Sequence, residues 1–200
     1  MKLYYAPGAC SQAPHIALRE AGATFDLVKV DLAAKRTESG EDYRAINPKG
    51  SVPALALDDD SILTENATIL QYIAEQKGGE LIPATGMKRY RLLEWLTFIT
   101  TELHKGFGPL WKPDTPDAYK ETTRQMLAGK FDYVQEQLGE KPYLTGEGFT
   151  IADAYLFVIL NWTRIHNIDL SRWPGLTPFV QRVAQRPAVR EALKAEGLVK

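Results

Sequence analysis

Cysteine is almost absent: Cys10 is the only one in 200 residues. An internal disulfide framework is therefore impossible, as is a zinc site built from several thiolates. Charge excess is absent too. Twenty-four Lys and Arg stand against twenty-five Asp and Glu, a formal net charge of −1. Nothing is left over to neutralise a phosphate backbone, so nucleic acid is not an expected partner. Long apolar runs are missing. Ile151 to Leu160, interrupted by Asp153, falls well short of the roughly 20 residues of a membrane span. The opening stretch Leu3 to Ala6 ends at Pro7, too soon for the apolar core of a signal peptide. With 44% hydrophobic and 24% charged residues, the composition excludes a disordered or collagenous chain. The expectation is a soluble, cytoplasmic protein with one thiol to explain.

The periodicity changes along the chain. Residues 2–5 read as a short strand. Ala13, Ile16, Ala17 and Ala21 repeat at helical spacing over 10–21, with Gly22 as the stop. Phe25 to Val30 reads as a second strand, and Leu32 to Ile46 has no clear period. Val52 to Leu57 and Ser61 to Leu63 form a hairpin across Asp58, Asp59 and Asp60, after which Thr64 is expected to cap a helix carrying Ile69, Leu70 and Ile73. The β-α-β crossover implies parallel strands, and the short hairpin antiparallel ones. Gly78 to Gly86 reads as a linker. Beyond it helical patterns cover about 88–110, 116–138, 150–165, 176–185 and 187–195. Thr150 is the expected N-cap of the third, with Asp153 replacing the usual Glu or Gln of a capping box. Two domains follow, 1–78 and 86–200: a four-stranded mixed sheet with three helices, then an all-α bundle. The Phe149 to Leu160 helix, apolar on nearly every face, belongs at the bundle's centre, with Asp153 a buried cap residue.

Cys10 lies where the first loop enters the first helix. Free N–H groups and the helix dipole there stabilise an anion and lower a thiol's pKa. The plainer alternative is a small buried hydrophobe, and the residues leave the two evenly matched. Cys10 to Ala13 has the spacing of a thioredoxin motif whose second cysteine is replaced, so any redox or conjugation chemistry must borrow a small thiol. Val52-Pro53 starts a strand without a backbone donor. A cis bond there would expose the Val52 N–H and C=O to an extended ligand, whereas a trans one makes a rigid turn. Glu65 and Asn66 open a helix: an acid there complements the dipole, or else pairs with a ligand's ammonium while the helix amides take its carboxylate. His15 and His166 read as packing or surface residues, and neither has metal-ligand spacing to Cys10.

Five stretches in order (Met1 to Ser11, Asn47 to Leu55, Leu63 to Glu65, Thr101 to Phe107, Phe149 to Leu156) make the whole chain resemble a bacterial glutathione S-transferase of the cysteine-containing beta class. The resemblance implies a thioredoxin-like α/β domain followed by an all-α helical domain, a homodimer, and glutathione as cosubstrate with no metal. By the same resemblance Cys10 lies beside the glutathione sulfur, and Val52 with Pro53 aligns its cysteinyl unit. Glu65 and Asn66 hold the γ-glutamyl end, although the family often has Ser at the Asn66 position. Lys35 is directed at the glycyl carboxylate, and His104 and Lys105 complete the cysteine's surroundings. A nearby His104 would stabilise the thiolate or shuttle a proton. Thr101 and Glu102 approach glutathione, within the chain or across the dimer interface; Thr97 stands where the family often carries a site-reaching Asn. Tyr5 and Ser11 are alternative donors to the thiol. Phe107, Leu110, Trp111 and Trp162 are candidates for the wall of a hydrophobic substrate cleft.

The implied activity is conjugation of glutathione to small apolar electrophiles, a detoxification chemistry, with Cys10-dependent thiol–disulfide exchange. Two rival classes share the fold. One is another glutathione-dependent enzyme, such as a reductive dehalogenase or an isomerase. The other is a non-catalytic binding protein, which tends to lose the thiol site; here Cys10, Val52-Pro53 and Glu65 all remain.

Overall fold

The computed structural model describes residues 1–77 and 80–199. The first half is a five-stranded sheet: β1 (Lys2–Tyr5), β2 (Asp26–Asp31), β3 (Arg36–Thr37), β4 (Ala54–Ala56) and β5 (Ile62–Thr64), in the order β3-β2-β1-β4-β5. β1 is parallel to β2, with Leu3 beside Leu27, and antiparallel to β4, with Leu3 beside Leu55. The parallel pair and the β4–β5 hairpin are those the pattern requires. The fifth strand is a correction to the expected four. β3 is only two residues long, in the stretch without a period, and its pairing of Val30 with Thr37 comes from a turn that no local pattern announces.

Three helices pack on this sheet: α1 (Gln12–Glu20), α2 (Tyr43–Ile46) and α3 (Asn66–Lys77). Thr64 does not cap α3. It ends β5, and Glu65 intervenes with its carbonyl accepting from Ile69 N–H, so the helix begins one residue later than the cap reading requires. The linker residues Gly78 and Gly79 lie outside the described residues.

The second half is helical: α4 (Gly86–Phe98), α5 (Gly108–Trp111), α6 (Asp117–Leu138), α7 (Ile151–Ile165), α8 (Leu176–Ala184) and α9 (Pro187–Ala195). The expected continuous helix over 88–110 is broken. After Phe98 the backbone widens into a π-helical turn over Ile99–His104 and tightens into a 3₁₀ turn over Lys105–Phe107. Such irregularities turn a helix face partway along its length, and here the affected stretch contains His104 and Lys105.

α7 occupies the centre. Every residue from Ile151 to Leu160 is buried, as a helix apolar on all sides must be. Its N-terminus is closed by Asp153, whose carboxylate accepts from the N–H and hydroxyl of Thr150 at 2.8 Å each and from Leu144 N–H at 2.8 Å. Asp153 is wholly buried, the cap residue expected. Burial pushes its carboxyl up to about 6, against those hydrogen bonds, which favour the charge. One hydrophobic core runs through both halves, from Leu3 and Ile16 to Leu156 and Phe179, and fixes the sheet's loops against the helices.

Candidate active site

The loop from Ala6 to Ser11 leaves β1 and delivers Cys10 to the start of α1. It turns at Gly8, whose φ of +70° suits glycine. Ser11 closes the loop: Ala6 N–H donates to its Oγ at 3.1 Å, and the hydroxyl returns to the Ala6 carbonyl at 3.3 Å. That buried hydroxyl is thereby committed. Tyr5, also buried, lies outside the cavity linings. The Cys10 thiol sits 3.3 Å from the Val52 carbonyl, across a cis Val52–Pro53 bond.

Two cavities meet at Cys10. The smaller, about 150 Å³, is polar: Val52, Pro53, Thr64, Glu65, Asn66 and Lys105 are among its lining residues. It opens on the N-terminus of α3, where the helix dipole is positive. Both polar atoms of the buried Asn66 amide lack a hydrogen-bond partner; the amide lies near Tyr155 without meeting hydrogen-bond geometry. Glu65 adopts a left-handed φ of +72°, uncommon outside glycine, and its carboxylate meets Lys49 Nζ at 2.5 Å. The larger cavity, about 520 Å³, is mainly apolar, with Leu32, Trp111, Trp162, Ile165 and Leu198 on its walls and Lys35 also among its lining residues. Lys35 Nζ donates to the Gly50 carbonyl at 2.8 Å. Cys10, Ser51, Val52 and His104 line both cavities. A cavity of about 580 Å³ between α4 and α6 is larger still, but none of these residues lines it.

The thiol's electrostatics correct the sequence expectation. Burial pushes Cys10 up to about 12, outweighing the backbone N–H groups of Cys10 and Ser11 and the charge of Lys105, which all act to lower it. The helix start does stabilise an anion, but desolvation costs more. Cys10 is therefore a neutral thiol at pH 7, and a hydrogen-bond donor. His104 is corrected likewise: burial first, then Lys105, pushes it down to about 4, so it is neutral and lends no positive charge. Its Nδ1 lies 2.6 Å from the Tyr155 hydroxyl, and its ring stacks edge-on to Trp162 at 5.0 Å. The cation that favours a thiolate here is Lys105.

The structure thus gathers Cys10, Lys35, Val52, Pro53, Glu65, Asn66, His104, Lys105, Trp111 and Trp162 around the two cavities. Other candidates lie elsewhere. Thr97 and Thr101 return their hydroxyls to the carbonyls of Leu93 and Thr97, at 2.9 and 3.1 Å. Glu102 pairs with Lys130. Phe107 is wholly buried, and Leu110 packs against the core rather than lining either cavity. His15 is buried, bonded to Glu196 at 2.8 Å. Sequence reasoning missed Lys49, Tyr155 and Leu198. Tyr155 had a visible signal, a lone phenol in an apolar helix; Lys49 lay within a recognised stretch without an assigned partner; Leu198 had none. Among the described residues no group of three or more His, Cys, Asp or Glu could hold a metal ion, and no helix is long and apolar enough to cross a membrane.

This is a thioredoxin-like sheet joined to a helical bundle, with a thiol at their junction. Two family profiles match it in order: the glutathione S-transferase N-terminal domain over residues 8–76 and the C-terminal domain over 98–187. Glutathione S-transferase GstA of Escherichia coli O157:H7 is 52% identical, the alignment covering 99% of this chain and 100% of that protein. Among solved structures, a ternary complex of the bacterial transferase BphK is 55% identical with a TM-score of 0.97, covering 99% of this chain and 100% of that one. The beta-class transferase of Sphingomonas chungbukensis is 48% identical at a TM-score of 0.96, and a sphingomonad transferase complexed with glutathione is 48% identical at 0.95, each alignment covering 100% of both chains. The chain belongs to the glutathione S-transferase family, and within it to the bacterial beta class. It is an enzyme, a glutathione transferase.

Proposed function

We propose that the protein conjugates glutathione to small apolar electrophiles and that Cys10 carries a separate thiol–disulfide exchange. The observation behind this reading is the meeting of a polar and an apolar cavity on one wall containing Cys10, Val52 and His104. Glutathione is charged at both ends and has its sulfur in the middle. Its γ-glutamyl carboxylate suits the α3 N-terminus and the unpartnered Asn66 amide, its ammonium suits Glu65, and its glycyl carboxylate suits Lys35. The extended backbone pairs with Val52, which sets the sulfur at Cys10 beside the apolar walls.

In conjugation the glutathione sulfur, having lost its proton to solvent, attacks the electrophilic carbon. A C–S bond forms and the leaving group departs with its bonding pair. The neutral Cys10 thiol donates a hydrogen bond to the sulfur anion, and Lys105 adds its charge. Such stabilisation keeps more sulfur ionised near neutrality. In exchange, Cys10 gives up its proton as its sulfur attacks the glutathionyl sulfur of a mixed disulfide, Lys105 favouring the thiolate that forms, and the departing partner takes up that proton and leaves as a thiol. A second glutathione then releases Cys10 and forms glutathione disulfide. With no second cysteine, this one-thiol cycle is the one open to the chain.

A homodimer active in cytoplasmic detoxification is part of the same reading. Met87 and Tyr90, about two-thirds exposed on α4, give a second copy an apolar surface to cover. Steady-state assays with glutathione as sole cosubstrate and a halonitroarene as electrophile test the conjugation. Turnover that saturates in both supports it, and no rate above the uncatalysed one rejects it.

A further inference from the structure

The apolar cavity at Cys10 shares a wall with another chamber. Gly8, Trp162, Ile165 and Leu198 bound both it and a space of about 380 Å³ behind them, toward α8 and α9. Phe157, Val180, Ala184 and Leu193 make most of that chamber apolar. The shared residues differ in how firmly they are held. Gly8 is fixed on both sides, its N–H donating to Glu196 at 2.9 Å and its carbonyl accepting from the Trp162 indole at 2.8 Å. Trp162 is buried and held by that same bond, whereas Ile165, at the end of α7, is 59% exposed. Leu198 follows the end of α9, after Gly197 at a φ of +72°, and its N–H donates to the Leu193 carbonyl at 2.9 Å. Its side chain lies against Gly8, 3.8 Å from where a Cβ would stand, yet is 45% exposed. Leu198 and Ile165, both about half exposed, rotate at little cost, whereas Gly8 and Trp162 cannot move without breaking packing or hydrogen bonds.

We propose that Leu198 is a movable partition, and that the chamber behind it receives the distal apolar end of an elongated electrophile whose reactive carbon sits at Cys10. This rests on the transferase reading and goes beyond it by naming a substrate shape and the residue that selects for it. Both spaces are mainly apolar and share these walls; Arg164 is the charged residue among the second's lining, and a chain too long for the first continues along Phe157, Val180, Ala184 and Leu193. Each methylene that enters leaves water and tightens binding.

S-alkylglutathiones, which keep the glutathione part and vary only the tail, test this by competitive inhibition or calorimetry. In the wild-type protein, affinity should rise about tenfold from the S-hexyl to the S-decyl compound, a fraction of what full burial of four methylenes gives. Ala184→Trp, which fills the chamber from a half-buried position, should reduce that decyl-to-hexyl ratio to near one. Leu198→Ala, which removes the partition, should raise it. Failure of S-butylglutathione to bind would take down the transferase reading and the inference with it. If S-butylglutathione binds but affinity is flat from hexyl to decyl in the wild type, the inference alone is overturned, with no variant needed. A decyl advantage unchanged in folded Ala184→Trp overturns it too.

Discussion

The Tyr155 hydroxyl lies 2.6 Å from Nδ1 of His104 and ties the site's imidazole to the central helix. With the phenol donating, Nδ1 accepts and the other ring nitrogen keeps its hydrogen, so a neutral His104 is a donor rather than a base. Tyr155→Phe leaves Nδ1 without its partner in a buried setting, where an unmade hydrogen bond costs about 1–3 kcal/mol. We expect kcat/KM for conjugation to fall roughly three- to tenfold, with glutathione affinity nearly unchanged. Steady-state kinetics on the two proteins read this directly.

The pH profile follows from the same imidazole. Burial moves His104 from 6.5 to about 4. A base depressed in the folded state contributes stability above its unfolded value, and that contribution is lost as pH falls from about 6.5 toward 4. Asp153, raised from 3.8 to about 6, has the opposite sign: its contribution is full below 3.8 and is lost as pH rises toward 6. Urea unfolding of His104→Gln across pH 4 to 7 should therefore show less acid loss than the wild type. In NMR titrations of the free protein, the His104 ring should show no midpoint near 6.5.

Asp153 carries more than its titration. It satisfies the N–H groups of Leu144 and Thr150 and the Thr150 hydroxyl, all buried. Asp153→Ala orphans them at once, so the loss should be about 2–4 kcal/mol, above the usual cost of a lost N-cap. A shift of the urea midpoint at constant slope is the expected result, and a loss below about 0.5 kcal/mol would mean that water replaces the carboxylate.

Much of this architecture was legible in the sequence, because the signals were local. The Leu3 strand, the hairpin around Asp59 and the apolar α7 each announce themselves by period, and Thr150 with Asp153 marks a helix start by spacing. What was hidden depends on contacts between distant segments. β3 pairs across a turn with no pattern, and the π-helical turn at Ile99 interrupts a stretch that looks regular. The Cys10 thiol shows the same limit: its position at a helix start was readable and argued for a lowered pKa, but the burial that reverses the sign comes from segments far away in the chain. Resemblance supplied the roles of Glu65 and Lys35. It did not supply Lys49 as the partner of Glu65, or Leu198 on the cavity wall.

Cys10 separates the two proposed activities. As a neutral thiol it assists the glutathione sulfur without being the nucleophile, so Cys10→Ala should cost conjugation only modestly, about three- to thirtyfold. Exchange with a glutathione mixed disulfide has no other thiol to use and should vanish. Equal loss of both in a folded variant that still binds glutathione would contradict this division. Alkylation of the free protein by iodoacetamide at pH 7 should also be slow, since the thiol is buried and burial pushes it up to about 12.

The central claim is that glutathione lies across the polar cavity, its γ-glutamyl end at Glu65 and Asn66 and its sulfur at Cys10. Calorimetric titration of glutathione into the wild-type protein and into Glu65→Ala tests it most directly. One saturable site per chain is expected in the wild type and one at least tenfold weaker in Glu65→Ala, the scale of a lost charge-assisted contact. No binding to the wild type, or equal affinity in the two proteins, would contradict it.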